Sequence, residues 1–150
     1  MRNILPLAFV TFAGACAALP KQPIEQPTVD VTAVAITEIS ADGLTGAIDM
    51  NVLNPNLRAV PLTWVDWELS IGGRATIIGR CDVRTTIPGL SSAPIAATLR
   101  LDGFQAAEVA PRIAQLVADG HRDYRLRTTL HFSSALGDVA VTVDKDGTLR

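Results

Sequence analysis

The chain has few side chains that could carry covalent or metal chemistry. Only two cysteines, Cys16 and Cys81, occur in 150 residues, which excludes a disulfide framework of the kind that stabilises small secreted domains. The two histidines, His121 and His131, have no partner at metal-ligand spacing, and no nucleophile-elbow motif is present. We therefore expect no cofactor, no metal and no enzymatic activity. An enzyme is kept as the third alternative, because catalytic groups distant in sequence can meet in space.

The sequence also lacks an excess of positive charge. The 13 Lys and Arg residues are outnumbered by 15 Asp and Glu, which gives a formal net charge of −2. Binding to nucleic acid depends on clustered basic side chains, so no nucleic-acid partner is expected. The densest basic stretch, residues 122–127, is interrupted by Asp123 and indicates a solvated strand face rather than a phosphate site. Asp66 and Glu68 share a strand face, where a surface role is favoured over acid-base chemistry.

Long apolar runs are absent except near the N-terminus. Residues 4–12 form an apolar core behind Arg2 that is too short for a permanent membrane helix, so residues 1–15 are predicted to be a signal peptide. Residues 13–16, Ala-Gly-Ala-Cys, resemble a lipobox, which implies that Cys16 becomes lipidated and begins the mature chain. The alternative is an ordinary signal peptide cut near Ala15 or Ala18, with Cys16 incidental.

Residues 16–28 are predicted to be the lipidated cysteine and an extended polar tether, because three prolines occur in this short stretch. A lipidated Cys16 could not form a disulfide, so Cys81 would be unpaired. Cys81 lies on the apolar side of the alternating run 81–87, where a free thiol behaves as a small buried hydrophobe. A reactive thiol is the less favoured alternative, because no His or second Cys is close to it in sequence.

Most of the remaining chain, residues 29–150, shows the two-residue alternation that is typical of strands. The clearest example is 65–71, where apolar residues alternate with Asp66, Glu68 and Ser70 before the Gly72-Gly73 hairpin signal. We expect a bulge or bend at Gly79 and a loop over 88–94. Seven or eight such strands predict an all-β fold, an antiparallel sandwich with one short helix.

The single helix is predicted in the Ala-rich segment 104–119. Ile113, Leu116 and Val117 have helical spacing, and Gly120 can adopt the left-handed cap. Because proline disrupts a helix interior, we predict a turn over 104–109 and a helix that begins at Pro111. A capping box of Asp102 with Gln105 is the alternative start.

The order of these features resembles the WHy (water stress and hypersensitive response) domain, also called the group 2 late-embryogenesis-abundant domain. The resemblance covers residues 29–149 and implies an immunoglobulin-like or fibronectin III-like sandwich of about seven strands. The residues that carry it are an Asn-Pro-Asn after the second strand, a Pro-Leu before the aromatic-acidic strand, a Gly after the hairpin, an Ile-Pro turn and a late Gly and Tyr: Asn54, Pro55, Asn56, Pro61, Leu62, Val65, Asp66, Trp67, Glu68, Leu69, Gly79, Ile87, Pro88, Gly120 and Tyr124.

In such a fold these residues have structural roles. The side chain of Asn54 or Asn56 would satisfy backbone amides at a strand end, and Pro55 would fix a backbone angle. Trp67 is predicted to anchor the core, and Trp64 lies on the opposite strand face, partly exposed.

The resemblance implies stress protection of other proteins during drying, cold or heat. The predicted partners are the membrane, through the lipid on Cys16, and stressed client proteins. The expected location is the periplasmic side of the cell envelope, and Ala17 after the cysteine, rather than Asp, is compatible with the outer membrane. The alternative function is an envelope binding module that docks a protein or an apolar ligand, through a patch near Trp64 or a cavity between the sheets.

Overall fold

The computed structural model describes residues 23–40 and 43–149, which form seven strands and one helix. The predictions for the signal peptide, for Cys16 and for the first part of the tether lie outside these residues, as does Asp42 in the predicted first turn. In chain order the elements are β1 Thr28–Ser40, β2 Gly43–Asn54, β3 Val60–Ile71, β4 Ala75–Ile87, β5 Ser91–Asp102, α1 Gly103–Ala118, β6 Asp123–Ser134 and β7 Gly137–Thr148.

The strands form two antiparallel sheets. One has the order β1-β2-β5 and the other the order β4-β3-β6-β7. The prediction of an all-β antiparallel sandwich with about seven strands and one helix is confirmed.

The core lies between the two sheets and is built from the apolar side of each alternating strand. On β3, Val65, Trp67 and Leu69 are buried, whereas Glu68 is exposed. Because successive side chains in a strand point to opposite faces, one register places these three residues inward and leaves Trp64 on the outer face. The predicted hairpin at Gly72 and Gly73 joins β3 to β4, and both glycines have a positive φ, which other residues rarely adopt.

The helix is longer than the sequence predicted. It begins at Gly103, so the prediction of a turn over 104–109 followed by a helix from Pro111 is wrong, and Pro111 lies inside α1. One apolar stripe extends on both sides of this proline, and its burial outweighs the backbone hydrogen bond that proline cannot make. Asp102 precedes the helix, but its carboxylate binds Arg100 rather than a helix amide. The buried residues of the stripe are Ala106, Ala110, Ile113 and Leu116.

Two further local predictions are wrong. Gly79 is in regular register opposite Trp67, and the irregularity falls instead where Leu62 pairs with Thr85 and Trp64 pairs with Asp82. Arg84 there has a φ of 45°. The loop expected over 88–94 ends earlier, because β5 begins at Ser91 and includes Pro94. An edge strand such as β5 tolerates proline, since one side of its backbone has no ladder partner.

Candidate functional site

The Asn-Pro-Asn motif forms a hydrogen-bonded junction at one end of the sandwich. Asn54, the last residue of β2, is fully buried. Its amide nitrogen donates to the carbonyl oxygens of Arg58, Ile87 and Pro88 at 2.9, 3.1 and 3.1 Å. Its Oδ1 accepts from the backbone amide of Asn56 at 3.0 Å. One side chain therefore connects the β2–β3 loop to the end of β4.

Asn56 extends the junction to the segment that enters the domain. Its Oδ1 accepts from the backbone N–H of Glu25 at 2.7 Å, and its Nδ2 donates to the carbonyl oxygen of Glu25 at 2.8 Å. These bonds copy the pairing of a strand, with an amide side chain in place of a backbone peptide. The entering chain is held against the β2–β3 loop before β1 begins at Thr28.

Close backbone packing next to the junction requires a glycine. A Cβ on Gly89 would lie 2.2 Å from the carbonyl oxygen of Leu57, and Leu90 N–H donates to Asn56 O at 2.8 Å. Pro88, which precedes this glycine, is exposed and offers its carbonyl to Asn54 and to the hydroxyl of Ser91. The two loops are thus in direct contact.

The other motif residues lie away from the junction. Trp67 is 3% exposed, and its indole covers Gly79, where a Cβ would lie 2.3 Å from the ring. Gly120 follows the helix with a φ of 84° and donates to the carbonyl oxygen of Val117. Tyr124 is buried, and its ring lies against Gly147. These residues are spread through the fold and form no common site.

A second group, the outer-face cluster, consists of Trp64, Asp66, Arg80 and His131 on the outer face of the four-stranded sheet. Arg80 binds both carboxylate oxygens of Asp66, at 2.6 and 3.2 Å, and its guanidinium lies 5.3 Å from the centre of the Trp64 ring. His131 stacks on Trp64 with ring centres 4.5 Å apart. Its Nε2 lies 2.9 Å from Asp66 Oδ2 and forms an ion pair whenever the imidazole is protonated.

The cluster stabilises the charged form of its carboxylate. The hydrogen bond from Arg80 lowers the pKa of Asp66 below its ordinary value of 3.8, against the opposing effect of burial. A carboxylate that stays ionised is a poor general acid near neutral pH. Trp64 is partly buried, and the contacts of His131 and Arg80 cover part of its indole.

An open groove of about 570 Å³ lies beside the outer-face cluster. Asp66 and Glu68 line it together with Arg80 and Arg127, and Arg127 is itself bound to Asp144 at 2.8 Å. Two of these charged groups, Asp66 and Arg80, therefore face the groove as an ion pair. Among the described residues that line the groove there is no cysteine, serine or histidine, the side chains that most often supply a nucleophile or its base.

Among residues 23–40 and 43–149, no group of three or more His, Cys, Asp or Glu side chains could hold a metal ion. No helix in the same part of the chain is long and apolar enough to cross a bilayer. Cys81 is free and half-buried against the core, and burial raises the pKa of its thiol. A raised pKa keeps this thiol protonated and poorly nucleophilic.

The outer-face cluster was missed by sequence reasoning. Asp66 and His131 are far apart in the chain, and the separate alternation of β3 and β6 places each on an outer face without fixing the register between them. The structure pairs Trp64 with His131, which brings the carboxylate of Asp66 within reach. The available signal was that alternation places Trp64 and Asp66 on the polar face of β3 and His131 on the polar face of β6, two strands that could be neighbours.

The fold and the junction define the chain as a small antiparallel β-sandwich protein in which an Asn-Pro-Asn motif connects two loops by hydrogen bonds. It belongs to the late embryogenesis abundant protein family, whose family model matches residues 49–147. No curated protein matches the chain.

Several solved structures are similar to the chain at low identity. The solution structure of a late embryogenesis abundant protein is 19% identical, with a TM-score of 0.57 over 91% of this chain and 74% of that one. A second solution structure, of an Arabidopsis thaliana protein, is 19% identical, with a TM-score of 0.55 over 88% and 86%. A crystal structure of an Archaeoglobus fulgidus protein is 11% identical, with a TM-score of 0.56 over 83% and 94%. At these identities the likeness shows the fold alone.

Proposed function

We propose that the protein is a lipid-anchored, non-catalytic protein of the cell envelope that protects other proteins during desiccation, cold or heat. In this proposal the domain is of the WHy type, Cys16 carries the lipid and the sandwich faces the periplasm, with the outer membrane as the favoured site. Membership of the late embryogenesis abundant family over residues 49–147 is the observation that carries the proposal.

The outer face of the four-stranded sheet supports a non-catalytic role. Several of its charged side chains are paired across strands, among them Arg80 with Asp66 and Arg127 with Asp144. Arg125 and Asp146 form a third pair at 3.0 Å. Interspersed charges of both signs, without a large apolar patch, are typical of a hydrated surface that does not bind one neighbour tightly.

Aggregation of a heat-labile client enzyme tests the protective role. We expect the purified mature protein to lower light scattering of the heated client in proportion to its concentration, compared with an equal mass of an inert protein. A double variant, Asp66→Asn with His131→Gln, should protect equally well, because the outer-face cluster is not a catalytic site in this proposal. Absence of any protection by the unaltered protein would contradict the proposal.

A binding module for a protein partner or an apolar ligand is the second candidate. The observation that favours it is a set of exposed leucines at the end of the sandwich where the junction lies. Capture from envelope extracts separates the two functions: a single stoichiometric partner, together with no effect on client aggregation, would favour the binding module.

A further inference from the structure

Exposed apolar side chains concentrate at one end of the sandwich. Of the six large hydrophobic residues that are exposed in the described part of the chain, four are leucines at this end. They are Leu53, Leu57, Leu90 and Leu136, with exposed fractions of 45%, 84%, 64% and 54%. We call this set the leucine end.

The topology explains why the four leucines share one end. Leu53 lies near the end of β2, opposite Thr28 at the start of β1. Leu57, Leu90 and Leu136 lie in the β2–β3, β4–β5 and β6–β7 connections, one in each. Because all neighbouring strands are antiparallel, these three connections lie at the same end of the sandwich.

The chain enters the domain at the leucine end. Glu25 is bound to Asn56, next to Leu57, and β1 begins three residues later. The nine residues 16–24 can span at most about 30 Å even when fully extended. An anchor on Cys16 would therefore keep this end of the domain close to the membrane, at a high effective concentration for contact with it.

We propose that the leucine end is a membrane-docking surface, with the sandwich standing end-on and the three loop leucines entering the bilayer interface. This deepens the anchoring proposal and rests on it. Exposed apolar side chains at loop tips gain free energy when they leave water for the acyl boundary.

The charge at the leucine end distinguishes between binding to anionic headgroups and binding to the apolar interface of the bilayer. Arg58 is the basic residue of the β2–β3 loop, and Glu25 and Asp138 are acidic residues of the neighbouring segments. This near balance offers little attraction for anionic headgroups. Docking therefore depends on the apolar interface and is similar on zwitterionic and anionic membranes.

The other two exposed hydrophobic residues provide a comparison. Ile78 lies within β4 and Phe104 lies at the start of α1, after β5 has reached the opposite end. Ile78 and Leu90 are both 64% exposed. Substitutions of Ile78 and of Leu90 therefore change equally accessible apolar side chains on different parts of the surface.

Fluorescence quenching by lipid measures this orientation. The mature protein is placed in phosphatidylcholine vesicles that contain a nitroxide-labelled lipid, with and without phosphatidylglycerol. An environment-sensitive thiol dye is attached to Leu57→Cys, Leu90→Cys or Leu136→Cys, and to Arg74→Cys in the β3–β4 turn at the far end. The unaltered protein, treated with the same dye, is the control for dye that attaches to Cys81. We expect the three loop positions to be quenched about twofold or more, and position 74 to be unaffected.

A matched pair of substitutions tests whether the leucines cause the orientation. Leu90→Asp should lower the quenching at position 57, whereas Ile78→Asp should not. Equal quenching at both ends, or none at the loops of an acylated sample, would overturn the docking proposal and leave the anchor intact. An unacylated mature N-terminus in the same sample, measured by mass, would instead overturn the anchoring proposal and the docking that rests on it.

Discussion

At the scale of single residues, the buried amide of Asn54 contributes most to the junction. It lies at 0% exposure and its nitrogen donates to three carbonyl oxygens. A buried carbonyl that loses its donor cannot bond to water instead. Removing the donor therefore costs more free energy than an ordinary hydrogen bond contributes.

Asn54→Ala is therefore expected to lower the free energy of unfolding by about 2–3 kcal/mol. Urea unfolding measures the change. Asn51→Ala, on the exposed side of the same strand, is the matched control and should alter stability by no more than about 0.5 kcal/mol. Equal effects of the two substitutions would show that the junction does not stabilise the fold.

Gly79 is required by the ring that covers it. A Cβ there would lie 2.3 Å from the Trp67 indole, so Gly79→Ala should displace the ring and cost about 1–3 kcal/mol. In the background of Trp67→Phe, whose smaller ring leaves space for the methyl group, the same substitution should cost much less. A double-mutant cycle of denaturant midpoints measures this coupling; strictly additive effects would contradict the contact.

The ion pair of Asp66 predicts a dependence of stability on pH. Because the folded-state pKa of Asp66 is lowered from 3.8, its contribution is fully present above that value and is lost as pH falls through the folded pKa. Asp66→Asn should cost up to about 1 kcal/mol at neutral pH. The difference in Tm from the unaltered protein should shrink below pH 3.8. A difference that stayed constant down to strongly acidic pH would contradict this assignment.

At the scale of elements, strands were easier to predict than the helix. The alternation of β3 determines which residues face inward, and the Gly72-Gly73 turn determines its pairing with β4. The first half of α1 differs from the prediction because the helix continues through Pro111, with Ala106 and Ala110 buried in its apolar stripe. Burial of a stripe depends on what packs against it, which local sequence does not contain.

Pro111 is an unfavourable residue within α1. It lies on the exposed side of the helix and removes the N–H that would bind the carbonyl of Ala107. Pro111→Ala should therefore raise the free energy of unfolding by about 1–3 kcal/mol. Arg112→Ala, at the neighbouring exposed position, is the control and should have little effect. A loss of stability in Pro111→Ala, measured by urea unfolding, would show that the proline is needed.

At the scale of the whole molecule, the two ends of the sandwich differ in a way that single motifs do not reveal. Each exposed leucine is unremarkable in its own segment. For the Asn-Pro-Asn motif the sequence predicts a strand end whose amides the Asn side chains satisfy, but not the contact with the entering chain. Their common position follows from the antiparallel order of both sheets, which also unites the outer-face cluster. These arrangements depend on register between distant strands, so alternation within one strand could not predict them.

Attachment through Cys16 is the claim on which the anchoring and docking proposals both depend. The mass of the mature N-terminal peptide, taken from protein in the membrane fraction, tests it most directly. The account predicts a chain that begins at Cys16 and carries acyl groups on that residue. A mature chain that begins elsewhere, or an unmodified Cys16, would contradict it.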